Sequence, residues 1–271
     1  MEIGITGSIG VLGSNLKKLL KIKSKNIFRG KIENKRDVDR WIKRNKFDAI
    51  IHLAAIVPIK IVNKNKQHAL RVNYFGCKNL VNAINKSSPK KIWLFYASTS
   101  HVYPFKKTIT KENHKTKPLS FYGKTKLLGE KYILNNHNKI IPCVGRIFSF
   151  TSKKQSKLFI VPAIISKLKM KKKKIIFNNI NHVRDFISIE DICNAVILLM
   201  KKKTKGIFNI CSGKKINLKT ILYKLNTKYK KEIDLKDNLN QTIIYGSNKK
   251  LINKGWKISK VNYLDYLHKN F

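Results

Sequence analysis

Two hydrophobic rhythms alternate along the first two-thirds of the chain. In "EIGIT", Ile3 and Ile5 alternate with Glu2 and Gly4, the period of a strand. Leu12, Leu16, Leu19 and Leu20 then recur at i, i+4, i+7 and i+8, one face of a helix that starts near Val11. The same reading predicts strands over 3–6, 26–28 (NIF), 49–54 (AIIHLA), 92–98 (IWLFYAS) and 140–148 (IIPCVGRIF), with helices over 11–22, 35–45, 67–86 and 121–136. Strands alternating with helix-length segments build a parallel sheet covered on both faces, a doubly wound α/β architecture. After Ser149 the rhythm breaks. A short strand (KIIF), a loop entering a helix (HVRDFISIEDICNAVILLM), a further strand (IFNI) and a polar, lysine-rich tail follow. The expected division is a sheet domain over 1–149 and a smaller lobe over 150–271, with the ligand crevice between them.

At 271 residues the chain is long enough to bury a full core. Its 59 Lys and Arg against 14 Asp and Glu leave a net charge of +45, which on its own would suit a nucleic-acid binder. The lysines, however, run through nearly every segment instead of gathering into a stripe, and Asn and Ile are abundant beside them. The one dense run, KLKMKKKK (167–174), reads as a solvated helix end. Nucleic acid is therefore not the expected partner. Cys77, Cys143, Cys193 and Cys211 lie far apart without C-x-x-C spacing, which fits small core residues of a reduced, cytoplasmic protein with no metal site. Strand and glycine patterning begins within the first residues, so no signal peptide is expected, and the longest apolar stretches, such as ICNAVILLM, are too short to span a bilayer.

Candidate chemistry sits where strands end. Gly7, Gly10 and Gly13 form T-G-x-x-G-x-x-G between the first strand and the first helix, the order a dinucleotide site requires. Glycine lets the backbone approach a pyrophosphate closely, and the helix N-terminus turns free N–H groups toward it. DAIIHLAA (48–55) places Ala54 and Ala55 at the carboxyl end of a neighbouring strand. YASTSHVYP (96–104) ends the next one in a hydroxyl cluster, Ser98, Thr99 and Ser100. SFYGKTKLLGEKY (120–132) sets Tyr122 and Lys126 four apart on one helix face, and HVRDFISIEDI (182–192) carries Arg184 into the second lobe.

In this order and spacing the five stretches resemble the extended short-chain dehydrogenases/reductases, of the NAD-dependent epimerase/dehydratase kind that act on nucleotide-activated sugars. The resemblance runs from Met1 to about Ser212. It implies a Rossmann-like fold that holds NAD or NADP on Gly7, Ile9, Gly10, Gly13, Ala54, Ala55, Tyr122 and Lys126. Tyr122 would be the general acid/base, and Lys126 would favour the phenolate and hold the nicotinamide ribose. Thr99 would bind the reacting oxygen, and Thr99, Ser100 and Arg184 would meet the substrate, a nucleotide sugar. Asn73 matches a helix asparagine of the family. The resemblance also implies a homodimer, in which helices 67–86 and 121–136 pair across a two-fold axis through Leu70, Leu80, Leu127 and Leu128.

Departures from the pattern matter as well. The segment after the first helix is abbreviated. Arg29 stands near the place of the usual ribose-binding acid, where it suits the 2′-phosphate of NADP, and Lys31 replaces the acid of a G-D-x-x-D stretch. Ser149 replaces the asparagine usual after the strand that carries Arg146, a residue read as structural. Ser100 and His101 occupy the positions of the Asp-Glu pair that sugar 4,6-dehydratases of the family use, so dehydration is not expected. His101 also takes the place of the cysteine of the GDP-fucose synthase type. A 4-epimerase and a 4-keto reductase remain, nearly level. From another class, the alternative is a catalytically silent Rossmann-fold protein that binds RNA through its lysines.

Overall fold

The computed structural model describes residues 1–259 and 262–271. The first strand, β1 (Ile3–Thr6), leads into α1 (Val11–Leu19), which buries Leu12, Gly13 and Leu16. Helix α2 (Lys35–Arg44) is capped by Asn34, whose side chain accepts from the N–H groups of Arg36 and Asp37, and it buries Val38, Trp41 and Ile42. Strand β2 (Ala49–His52) is buried throughout. Helices α3 (Ile59–Lys64), α4 (Lys66–Leu70) and α5 (Gly76–Ser87) follow, the last two joined by one π-helical turn at Arg71–Phe75. The single helix expected over 67–86 is thus widened at Asn73. The wider turn re-aims that side chain, which accepts from Ile56 N–H at 2.8 Å and donates to Ile56 C=O at 3.0 Å and Thr125 Oγ1 at 3.1 Å.

Next come β3 (Ile92–Thr99), α6 (Phe121–Asn135) and β4 (Ile140–Ile147), then α7 (Ile160–Leu168), β5 (Lys174–Asn178), β6 (Val183–Arg184) and α8 (Ile189–Lys201). The chain ends with β7 (Gly206–Ile210), β8 (Ile216–Asn217), α9 (Leu218–Tyr229), β9 (Glu232–Lys236), β10 (Ile243–Ile244), α10 (Lys249–Ile252) and α11 (Tyr263–Asn270).

Five strands form the main sheet in the order β1-β2-β3-β4-β7, all parallel. Alternate residues feed two cores. Ile5, Ile51, Trp93, Phe95 and Phe208 pack with α1 and α8 on one face. Ile50, Leu94, Tyr96 and Val144 pack with α2 and α5 on the other. This is the α/β, doubly wound Rossmann-type sheet that the alternation predicts. The strand expected over 26–28 is reduced to one bridge, Ile5 to Ile27, with Phe28 N–H donating to Ile5 C=O at 2.9 Å. That segment lies on the side of β1 away from β2, so the chain reverses direction across the sheet at β1.

The division expected at 149 gives the sheet all but its last strand. Helix α8 and strand β7 return from the C-terminal part and complete it, because β4 would otherwise be an apolar edge. The remainder forms a smaller assembly. The β5–β9 pair and the β10-β6-β8 sheet pack with α7, α9 and α11 around Phe177, Phe186, Leu222 and Leu267. All four cysteines are free and buried. Among the described residues no helix is long and apolar enough to cross a membrane.

Candidate active site

The glycine loop is shaped for close approach. Gly7 has φ of 69°, the left-handed region, and a Cβ there would lie 2.6 Å from Ala54 N, so glycine alone lets the loop press on the end of β2. A Cβ on Gly13 would strike Gly7 C=O, which fixes how closely α1 approaches the loop. Gly10 starts α1 without a side-chain cap and no acid stands in the first turn, so the first-turn N–H groups are left open. Ile9, at the loop tip, is 97% exposed. Thr6 Oγ1 accepts from the N–H groups of Leu53 and Ala54, both at 3.2 Å, and lies 2.7 Å from His52 Nδ1. Ala55 follows Ala54, half-buried. These contacts set the cradle before any ligand arrives.

Arg29 follows the segment bridged to β1. Its guanidinium is exposed and donates to Ser24 Oγ at 2.7 Å. Lys31, which replaces the expected acid, offers its N–H to Asp37 Oδ2 at 3.2 Å, so a carboxylate from α2 occupies this corner.

At the carboxyl end of β3, Thr99 is buried. Its Oγ1 accepts from His101 N–H at 3.2 Å, and the hydroxyl stands on the side of the Tyr122 phenol, whose ionised form it favours. Burial holds the Tyr122 phenol up at about 12, and Thr99 opposes that rise. Tyr122 and Lys126 share one face of α6, whose first turn is capped by Ser120 accepting from Gly123 N–H at 3.1 Å. The Lys126 ammonium lies 4.0 Å from the centre of the Tyr96 ring and is brought down to about 8, chiefly by burial, with Cys77 and Glu130 opposing. No described residue accepts a hydrogen bond from it. The group that favours the phenolate is Thr99, and the lysine charge is held over Tyr96. Tyr96 Oη in turn donates to Lys126 C=O at 3.3 Å.

The neighbouring hydroxyls separate. Ser98 points to Glu130, with which it forms a short hydrogen bond inside the core, while Ser100 is buried in the turn after Thr99. Arg184 pairs with neither Asp185 nor Glu190. Its Nη1 donates to Val183 C=O at 2.8 Å and Thr242 C=O at 2.9 Å, and its Nη2 donates to Thr242 Oγ1 at 2.8 Å. The guanidinium stacks 5.1 Å from the Phe105 ring, and burial lowers its pKa to about 10. Nε–H and one Nη2–H remain for an anionic group. The Arg184 charge acts on His101, which places it on the Thr99–Tyr122 side of the crevice.

Two features escape a reading of motifs. His101 sets its ring edge-on to Tyr122, 5.8 Å between centres. Glu130, buried, receives Arg146 Nη2 at 2.7 Å and Nε at 3.1 Å. Spacing could have found the second, because Glu130 stands four residues beyond Lys126 on the same helix face. No periodicity announces the first, since His101 lies in a turn.

A parallel doubly wound sheet with a glycine loop at its first βα turn, and Thr, Tyr and Lys gathered at the strand ends, is the arrangement of the extended short-chain dehydrogenases/reductases. The family model for GDP-mannose 4,6 dehydratase matches residues 10–259, and the chain belongs to that family. The GDP-6-deoxy-D-talose 4-dehydrogenase of Aggregatibacter actinomycetemcomitans is 31% identical over 223 residues, 79% of this chain and 75% of that protein. Two solved structures share the fold at 20% identity. RMD from Pseudomonas aeruginosa, complexed with NADPH, has a TM-score of 0.86 and covers 99% of this chain and 97% of its own. The UDP-glucose 4-epimerase of Thermus thermophilus, complexed with NAD, has a TM-score of 0.83 and covers 100% and 97%.

Proposed function

We propose that this chain is an NAD(P)-dependent enzyme acting at C4 of a nucleotide-activated sugar, with Tyr122 as its acid/base. The observation that carries this reading is the convergence of three buried side chains, Thr99 at the end of β3 with Tyr122 and the acceptor-free Lys126 ammonium on one face of α6. NAD(P), when bound, supplies hydride exchange with the C4 carbon. Tyr122, protonated up to about 12, stands ready to give a proton to a ketone oxygen, and Thr99 orients that oxygen beside it. Lys126, buried and without a protein acceptor, suits the hydroxyls of a ribose. The open N–H groups at the start of α1, the uncovered Ile9 and the bare glycine backbone suit a pyrophosphate. The two remaining N–H bonds of Arg184 suit the nucleotide phosphates.

Between the two reactions, the state of Tyr122 and the 4-dehydrogenase among the relatives favour reduction of a 4-keto GDP-6-deoxy sugar. The second reading is a 4-epimerase, supported by a putative UDP-glucose 4-epimerase of Methanocaldococcus jannaschii, 26% identical over 190 residues. Membership of this family does not favour the RNA-binding alternative. Arg29, exposed beside the bridged segment, supports binding of NADP over NAD. Residues 1–149 with α8 and β7 are the cofactor half in this reading, and the β5–β9 and β10-β6-β8 sheets with their helices are the substrate half.

The test is a melting-temperature screen of GDP-, UDP-, dTDP- and CDP-sugars with NAD or NADP present, followed by turnover on whatever stabilises. A ligand at about 100 times its Kd adds about 2.7 kcal/mol, several degrees of melting temperature. Stabilisation by NADP and a GDP-sugar together is expected. NAD binding as tightly as NADP ends the cofactor preference, and no stabilisation by any nucleotide sugar ends the reading.

A further inference from the structure

We propose that His101 touches the sugar itself and, by hydrogen bonds from its ring, selects the substituent on the carbon next to the reacting one. This rests on the function proposed above. The imidazole is held where such a contact is made. Its backbone N–H is tied to Thr99 Oγ1, and its carbonyl lies against Gly123 at the start of α6, where a side chain would have no room. The ring therefore cannot swing away with its loop. It stands edge-on to the Tyr122 ring, 5.8 Å between centres and 70° between planes, on the side that Arg184 also faces. A sugar oxygen held by Thr99 and Tyr122 puts its neighbouring ring substituent within reach of the imidazole.

Among the described residues, neither ring nitrogen of His101 has a hydrogen-bond partner, and the residue is only half-buried. A polar ring open to the crevice is free to pair with a group of the ligand. The groups that face it are the Tyr122 phenol from α6 and the Arg184 guanidinium from β6, and no carboxylate balances that guanidinium. Burial, and then the Arg184 charge, hold the imidazole neutral down to about pH 4. A neutral imidazole carries one N–H donor and one bare nitrogen, a match for a hydroxyl that both accepts and donates. So weak a base is poorly suited to pulling a proton from carbon. The role left to it is recognition.

The test uses the full chain with NADP and either GDP-6-deoxy-D-talose or UDP-glucose, in water and in deuterium oxide. His101→Ala is expected to raise KM about 10- to 100-fold, the cost of leaving one sugar hydroxyl unpaired, with kcat within about threefold. His101→Gln, which keeps a donor and an acceptor, is expected to recover most of the loss and to melt with the parent. No deuterium should enter the sugar at the carbons flanking C4. An unchanged KM in His101→Ala overturns the proposal. Deuterium at a flanking carbon in the parent, lost in His101→Gln, overturns it in favour of an acid/base role. A parent that neither turns over nor is stabilised by any nucleotide sugar removes the function itself, and this inference with it.

Discussion

Burial raises the Tyr122 phenol to about 12 against the opposing influence of Thr99, and in the proposed function that balance prepares the enzyme to give a proton. Tyr122→Phe preserves the ring that packs with Val62 and Ala69 but removes the hydroxyl that the proposed function uses to exchange a proton with the C4 oxygen. Turnover is expected to fall about 10²- to 10⁴-fold, with the melting temperature close to that of the parent. A variant within about threefold of the parent, far below that range, contradicts the assignment. If Tyr122 were only a packing residue, the melting temperature would fall and the rate would hold. The sequence supplied this pair plainly, since a four-residue spacing on a helix is a local property. It did not supply the partner of the lysine. The Tyr96 ring beneath Lys126 comes from β3, thirty positions earlier, and only the packing of α6 on the sheet brings them together.

Helix α6 carries Tyr122 and Lys126, so what holds α6 holds the candidate site. Its main anchor is the buried pair Glu130–Arg146, at 2.7 Å, which ties it to β4. Arg146 Nη1 also donates to Tyr103 Oη at 2.7 Å and Glu112 C=O at 3.1 Å, and Tyr103 Oη donates to Asn209 Oδ1 at 2.8 Å. One guanidinium thus links α6, the segment between β3 and α6, and β7. Removing one partner of such a pair leaves a charge buried without compensation, at a cost of about 3–5 kcal/mol. Glu130→Ala is expected to lose that much in urea unfolding, and a loss below about 1 kcal/mol, the level of an exposed ion pair, would show that the anchor lies elsewhere. The elements themselves were legible where one pattern dominated, as in α1, β3 and β4. They were not legible where tertiary bonds intervened. Asn73 opens the helix over 67–86 because its amide satisfies both main-chain groups of Ile56. The strand at 26–28 shrinks to one bridge because the abbreviated segment has no length to continue it.

Acid should destabilise the whole molecule through His52, which lies in the sheet with Nδ1 against Thr6 Oγ1 and is held neutral down to about pH 3, mainly by burial and then by the Lys126 charge. Below its ordinary value near 6.5 the unfolded chain takes up a proton that the folded chain refuses, so stability falls with pH through the window from 6.5 to about 3. Between pH 7 and 5 this amounts to about 2 kcal/mol. Asp185 acts in the opposite sense. Burial raises its carboxyl to about 6, so the folded chain takes up its proton first and gains stability on acidification. His52→Asn isolates the histidine: it should lose about 2 kcal/mol less than the parent between those two pH values in urea unfolding. Equal losses would place the acid sensitivity elsewhere. Assembly belongs to this scale too. Leu80 turns out to be fully buried against the sheet, and Leu70 and Leu127 are half-buried, so the outer apolar face is carried instead by Phe75, at the end of the π-helical turn, and Leu128 of α6, 42% and 41% exposed. We expect two chains to pair through this face, burying it across a two-fold axis. Sedimentation should give twice 31.4 kDa, with Leu128→Lys shifting it toward the monomer, and a monomer mass for the parent would refute the pairing.

The sequence by itself determined the alternation of strand and helix, the glycine loop and the Tyr–Lys spacing, because each is written in residues a few positions apart. It also determined that Ser100 and His101 stand where an acidic pair might have stood. Tertiary structure alone decided that β7 returns from the C-terminal part to close the sheet, that Arg184 spends three N–H bonds on Val183 and Thr242, and that His101 turns its ring toward Tyr122. The physical reason is the same in each case. These arrangements depend on burying apolar surface and satisfying polar groups between segments tens of residues apart, and no local pattern encodes which distant segment supplies the partner.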